Sequence, residues 1–322
     1  MSIDECIADW VELSKKIFQP KHRKFNLLRV VDFLKANGRF DAEILEAGIK
    51  EIIKKRLSRR YGAAEGEEEE EGEEGTEALE ETLLWDQDQD DDGCKVFVCA
   101  VKGEDKMPVF LRSYDNEKQS DHYSADIKIW EACRATSAAT TFFDRFERTS
   151  QGVRQTFVDG AFAYNNPVSR VHQEAIDLWG DKESLLISIG TGDKPDSSMT
   201  GGLKSLLAGI VDIVLATDKE DREFKEEHLD LIDAGLFYRF NVPGIARIGI
   251  EEYKKLDEIS AVTKSHLSRP DTNRSMKFCV TKAVEGRVEP ESQEVLDSET
   301  EISAYNPDRQ EVGGKLLNVC TV

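Results

Sequence analysis

The chain has 322 residues, 39% of them hydrophobic, six cysteines, five histidines and a formal charge of −21 at neutral pH. That composition can furnish the core of one large or two small soluble domains. It lacks the basic footprint of a nucleic-acid binder and would be repelled by anionic membranes. Residues 65–92 hold 16 acidic and no basic residues, so only five of the 21 surplus charges fall elsewhere.

Scattered cysteines without a CxxC pair or metal spacing to histidine imply reduced thiols, and no metal or cofactor is expected. No run reaches the eighteen apolar residues of a membrane span. With no leader ahead of Ser2, the expectation is a cytoplasmic protein, or one peripheral at membranes.

The chain opens with Ser2 and Glu5 in capping-box spacing, followed by Ile3, Cys6 or Ile7, Trp10, Leu13 or Ser14, and Ile17 at helical intervals. An amphipathic helix with one apolar stripe to bury is expected. A second helix is expected over 25–36. A third is capped by Asp41, with Ile44, Leu45, Ile49, Ile52 and Ile53 inside and Lys54, Lys55 and Arg56 near its C-terminus.

Residues 62–92 are too acidic to offset their ordering entropy and read as a disordered insertion. The alternative is a segment that binds a protein partner, with Leu83, Leu84 and Trp85 as its apolar anchor. The expected organisation is a helical part over 1–61, this insertion over 62–92, an α/β part over 93–268 and a weakly structured tail over 269–322.

Beyond the insertion, 94–101 and 108–113 read as strands joined by a turn containing Gly103, and 125–134 as a helix. Thr156, Phe157 and Val158 form a strand that ends at Asp159, a helix runs over 166–179, and 185–189 is a buried strand. This alternation predicts an α/β fold with a mainly parallel sheet flanked by helices, in which sites gather at strand C-terminal ends. Residues 203–216 form the most apolar helix candidate, and a further strand is expected over 276–281.

The run FVDGAFAYNNPV, Phe157 to Val168, carries the chemistry. A strand ending in Asp159-Gly160 holds a carboxylate at the sheet rim, where it can act as a general base, and Gly160 permits the turn that exposes it. A lone Asp-Gly is most often a simple strand-to-loop turn. Here ACRATSAATTFF, Ala132 to Phe143, precedes it and SLLISIGTGDKP, Ser184 to Pro195, follows. Together the three segments resemble the patatin-like acyl hydrolases, specifically their fungal phospholipase-like branch, whose patterns are A-R-A-T-S-A-A-P, D-G-G or D-G-A followed by N-N-P, and I-S-I-G-T-G.

The resemblance reaches the first helix, which looks like the one following the family's nucleophile elbow. Cys133, Thr140 and Ala161 depart from the family pattern without removing chemistry. It implies a patatin-like fold, a phospholipid substrate and a Ser–Asp dyad in which Asp159 is the catalytic Asp, supported by Gly160 and Ala161. No G-x-S-x-G stands anywhere in the 322 residues, so no nucleophile is assigned. The expectation is a truncated form without its oxyanion loop, elbow and N-terminal strands, inactive alone; the alternative is a remnant that binds lipid or protein.

Other candidates are weaker. Ser137 is flanked by alanines that hinder a strained elbow. His172 reads as a helix-surface residue. Gly190-Thr191-Gly192 lacks the further residues of a phosphate loop. Asp230 and Asp233 read as a solvated helix face.

Overall fold

The computed structural model describes residues 2–19, 40–65, 78–85, 93–119, 123, 125–140, 142–180, 182–192, 219–245, 248–286 and 317–320. The helices expected over 25–36 and 203–216 lie outside the described residues. The chain forms two compact units, one of residues 1–165 with 248–256, the other of 166–247 with 257–322. The stretch 93–268, read from the sequence as one continuous part, is shared between them.

In the first unit, α1 (Ile3–Ile17) begins with the expected capping box: Ser2 Oγ accepts the Glu5 N–H and Glu5 accepts that of Ser2. It lies along α2 (Ala42–Glu65). Ion pairs and a shared apolar core join them. Buried Asp9 accepts from Lys55 Nζ at 2.9 Å and Arg56 Nε at 2.8 Å, Arg56 also reaches Glu5 at 2.6 Å, and Lys16 pairs with Glu51 at 2.8 Å. The Lys55 and Arg56 hydrogen bonds hold the Asp9 carboxyl below the usual carboxylate range, while the Ser2 N–H and then Arg56 bring Glu5 to about 2.

The apolar stripe of α1 is buried only towards its C-terminal end. Leu13 and Ile17 join Phe18, Phe40, Leu45, Ile49 and Phe143 in one core, whereas Ile3, Ile7 and Trp10 are exposed. Close aromatic contacts knit this core, with Phe18 edge-on to Phe40 at 5.3 Å.

A four-stranded sheet follows, in the order β2-β1-β4-β3, from β1 (Phe97–Lys102), β2 (Pro108–Arg112), β3 (Phe146–Ser150) and β4 (Val153–Asp159). Every pairing in it is antiparallel, a correction to the mainly parallel sheet expected. For β1–β2 and β3–β4 the cause is a short connection, since parallel neighbours need a crossover of a dozen residues or more. β3 and β4 are joined by only Gln151 and Gly152, at φ of 48° and 80°, the left-handed pair that a tight hairpin demands. The sequence reading missed β3 because its exposed residues are charged or polar.

α3 (Ile129–Thr136), starting later than expected, covers one sheet face. Ala132, Ala135 and Ala138 pack with Ala100, Val109, Leu111, Ile127, Phe146 and Phe157 in the second core, where small residues let the helix approach closely.

The end of the acidic segment is seated on this unit. Leu84 donates its N–H to Ile127 O at 2.8 Å and packs on the second core, Glu80 pairs with Lys54 at 2.7 Å, and Glu81 with Lys128 at 2.7 Å. Those described residues are ordered, against the expectation for 62–92, because Leu84 finds apolar cover and the two glutamates find cations. The rest of that stretch beyond α2 lies outside the described residues.

The second unit holds α4 (Val168–Trp179) and a three-stranded sheet in the order β6-β5-β7, from β5 (Leu186–Ile189), β6 (Phe237–Phe240) and β7 (Leu317–Cys320). Parallel pairing is found here alone among the described residues. α5 (Leu229–Asp233), α6 (Leu256–Leu267) and α7 (Pro270–Glu285) complete it. α7 corrects two expectations, the strand over 276–281 and the weak tail from 269. Pro270 at its first turn starts a sixteen-residue helix that the scattered polar residues concealed. Among the described residues no helix is long and apolar enough to cross a membrane.

The second core fixes the ranking of substitutions. Phe157→Ala, at a fully buried position, should cost about 3–5 kcal/mol in chemical denaturation. Val153→Ala, exposed on the same strand, should stay within about 0.5 kcal/mol.

Candidate active site

Asp159 is the last residue of β4 and pairs with Ala100 of β1. Side chains alternate along a strand, so Asp159 shares the face of Phe157, towards the second core. Its N–H donates to Ala138 O at 3.1 Å, tying the strand end to the small-residue loop after α3. Its Oδ1 accepts the Ala161 N–H at 2.7 Å. Burial raises the carboxyl to about 6, and the Ala161 N–H opposes that rise. The group is therefore ionised at neutral pH yet more basic than an ordinary carboxylate.

Gly160 is buried against β1. A Cβ there would lie 2.3 Å from Cys99 O and 2.5 Å from Cys99 C, backbone atoms that cannot swing away. Its φ is outside the left-handed region, so the glycine answers a need for space rather than for a special turn conformation. Gly160–Phe162 then forms a single 3-10 turn, closed by Ala163 and Tyr164 N–H groups on Gly160 O at 2.9 and 2.8 Å. Tyr164 lies on Phe110 of β2, 5.4 Å between ring centres.

Arg134, from the motif preceding the strand, is buried at the end of α3. Its Nη2 donates to Asp144 O at 2.6 Å, and burial lowers its pKa. It ties the helix end to the residues that enter β3. Ser137 caps α3 and donates its N–H to Cys133 O at 3.2 Å. It leaves a helix rather than joining a strand to one, so it has no elbow geometry.

The remaining sequence candidates belong to the second unit. His172 on α4 is half-buried rather than a surface residue, edge-on to Phe224 at 5.6 Å and to His228 at 4.5 Å. Burial, then His228, lowers its pKa. Gly192 of the glycine loop after β5 donates its N–H to Asn241 Oδ1 at 2.7 Å, an internal tie. Asp230 and Asp233 lie on α5. Asn166, also in the motif, donates its N–H to Glu220 at 3.1 Å and is itself buried.

The sequence could not reveal the Ala138 carbonyl or the Cys99 backbone, since a main-chain acceptor or a steric wall has no residue-type signature. The run Ala138-Ala139 was the one available hint that something approaches closely there.

Two outcomes follow from this geometry. Because Asp159 titrates higher folded than unfolded, its ionisation opposes folding, and stability falls as pH rises from about 4 through 6. Asp159→Asn should therefore melt higher than the parent at pH 7.5 and match it by pH 4 in a thermal scan. Gly160→Ala should cost about 1–3 kcal/mol through overpacking against Cys99, read by denaturation at pH 7.

A family model for patatin-like phospholipase matches residues 3–172. Phospholipase A I of Arabidopsis thaliana is 36% identical over 126 residues, 38% of this chain and 9% of that protein. Calcium-independent phospholipase A2-gamma of Mus musculus is 26% identical over 180 residues, 53% of this chain and 22% of that protein. Patatin-like protein 6 of Arabidopsis thaliana is 35% identical over 96 residues, 27% of this chain and 19% of that protein. The chain thus spans less than a quarter of each of these relatives. With a family model matching more than half of its length, the chain belongs to the patatin-like phospholipase family.

Proposed function

We propose that this chain supplies the general-base half of a Ser–Asp lipid acyl hydrolase of phospholipase A type. The observation that carries the reading is Asp159, a partly buried carboxylate fixed by backbone alone and raised to about 6. Such a group is matched to taking a proton from a hydroxyl near neutral pH.

In the proposed cycle a serine Oγ bonds to the ester carbonyl carbon while its proton passes to Asp159. Collapse of the tetrahedral adduct breaks the acyl–oxygen bond, and the leaving alcohol takes that proton. Water, deprotonated by Asp159, then releases the fatty acid and restores the serine. Gly160 and Ala161 support the base, one by letting the strand end seat on β1 and the other by donating its N–H. The phospholipid class rests on the family and on the names of the relatives.

The 322 residues contain no G-x-S-x-G, and in this reading the nucleophile is supplied by polypeptide outside them. That same absence favours a second reading, in which the chain binds lipid or protein without turnover. In either case the proposed place of action is the cytoplasmic face of a lipid surface, approached without a membrane span among the described residues.

The test joins to this chain a segment carrying a glycine-rich loop and a G-x-S-x-G elbow and measures fatty-acid release from phosphatidylcholine vesicles. The chain alone should release none, the joined protein should turn over, and Asp159→Asn should cut the joined rate about 10²- to 10⁴-fold. Turnover that survives Asp159→Asn would refute the base.

A further inference from the structure

We propose that Arg134 is a positioning residue for the hydrolysis: it closes the loop that follows α3, and that loop presents the Ala138 carbonyl on which the end of β4 is held. The inference rests on the hydrolase reading above. The effect of Arg134 on Asp159 runs through the backbone.

Both ends of the loop meet at Arg134. The residue stands in the last turn of α3, and its Nη2 donates to Asp144 O at 2.6 Å, ten residues further on. Between them the Phe142 and Phe143 N–H groups close a turn on Ala139 O at 2.7 and 2.8 Å, and the fully buried Ala138 accepts the Asp159 N–H at 3.1 Å. The acceptor that ends β4 is therefore carried by a segment fastened at its helix end and again at Asp144.

A second route passes through β3. Asp144 lies two residues before Phe146, and the Arg134 guanidinium stands 5.9 Å from the centre of the Phe146 ring. Phe146 pairs with Phe157 across the β3–β4 ladder, two residues before Asp159. One side chain thus fixes both where β3 begins and how β4 ends.

A guanidinium is a costly way to fill a core. Arg134 is 2% exposed, burial lowers its pKa, and the charges of Glu46 and Asp144 offset only part of that effect. What the planar fork provides is a donor that reaches a carbonyl while lying on an aromatic ring, which an aliphatic side chain of similar length cannot supply.

The test replaces Arg134 in the 322-residue chain and reads Asp159. In Arg134→Met the Asp159 amide should lose about tenfold in protection against deuterium exchange, as local opening of the strand end requires. The Asp159 carboxyl midpoint should fall by about one pH unit as water reaches it. Arg134→Lys, which keeps a charge and a donor, should fall between Arg134→Met and the parent, and decides the matter if Arg134→Met does not fold. Ile49→Ala, in the core shared by α1 and α2, should lower the melt and leave the Asp159 midpoint in place. Unchanged exchange at Asp159 in a folded Arg134 variant overturns the proposal. So does a raised midpoint, the sign of a direct charge contact, or an equal fall in Ile49→Ala. Failure of the hydrolase reading would show separately, as turnover indifferent to Asp159 in the joined protein.

Discussion

The pairing of β4 with β1, ending at Asp159 opposite Ala100, is the constraint on which the first unit depends. It puts Phe157 into the second core, brings Gly160 down on the Cys99 backbone and leaves the carboxylate at the rim. The fully buried Phe157 anchors the strand from one side, and the Ala138 carbonyl holds its last N–H from the other. A carboxylate fixed this way loses part of its hydration, and burial outweighs the Ala161 N–H, which is why its affinity for a proton rises.

The α1–α2 contact shows the opposite electrostatic solution. Asp9 is also buried, yet it sits between Lys55 and Arg56, and its carboxyl is held low. Two aspartates on one unit therefore differ in proton affinity, one raised chiefly by burial and the other lowered chiefly by its Lys55 and Arg56 hydrogen bonds. The cations at Asp9 lock a helix pair together; at Asp159 burial outweighs the Ala161 N–H, and the carboxyl holds its proton more tightly.

Much of this was legible in residue patterns, and the exceptions share a cause. The capping box at Ser2, the strand ending at Asp159 and the strand before Gly190 appear where local signals put them. The antiparallel sheet was misread because the alternation of strands and helices is visible along the chain, whereas the hairpin at Gln151-Gly152 follows a strand too polar to be noticed. The stripe of α1 was foreseen, but not that its Ile3, Ile7 and Trp10 end would stay uncovered while its charged side met α2. At the site, Asp159, Gly160 and Ala161 were readable as a motif; that Gly160 is needed for space rather than for its φ could come only from the neighbouring strand.

The claim that Asp159 is poised as a base is tested most directly by following its side-chain carboxyl carbon by NMR across pH 3 to 8, with Asp159→Asn to assign the resonance. A midpoint of about 6 is expected. A midpoint near the ordinary aspartate value of about 4 would contradict it, and would leave the carboxylate as a turn residue that bonds a neighbouring amide.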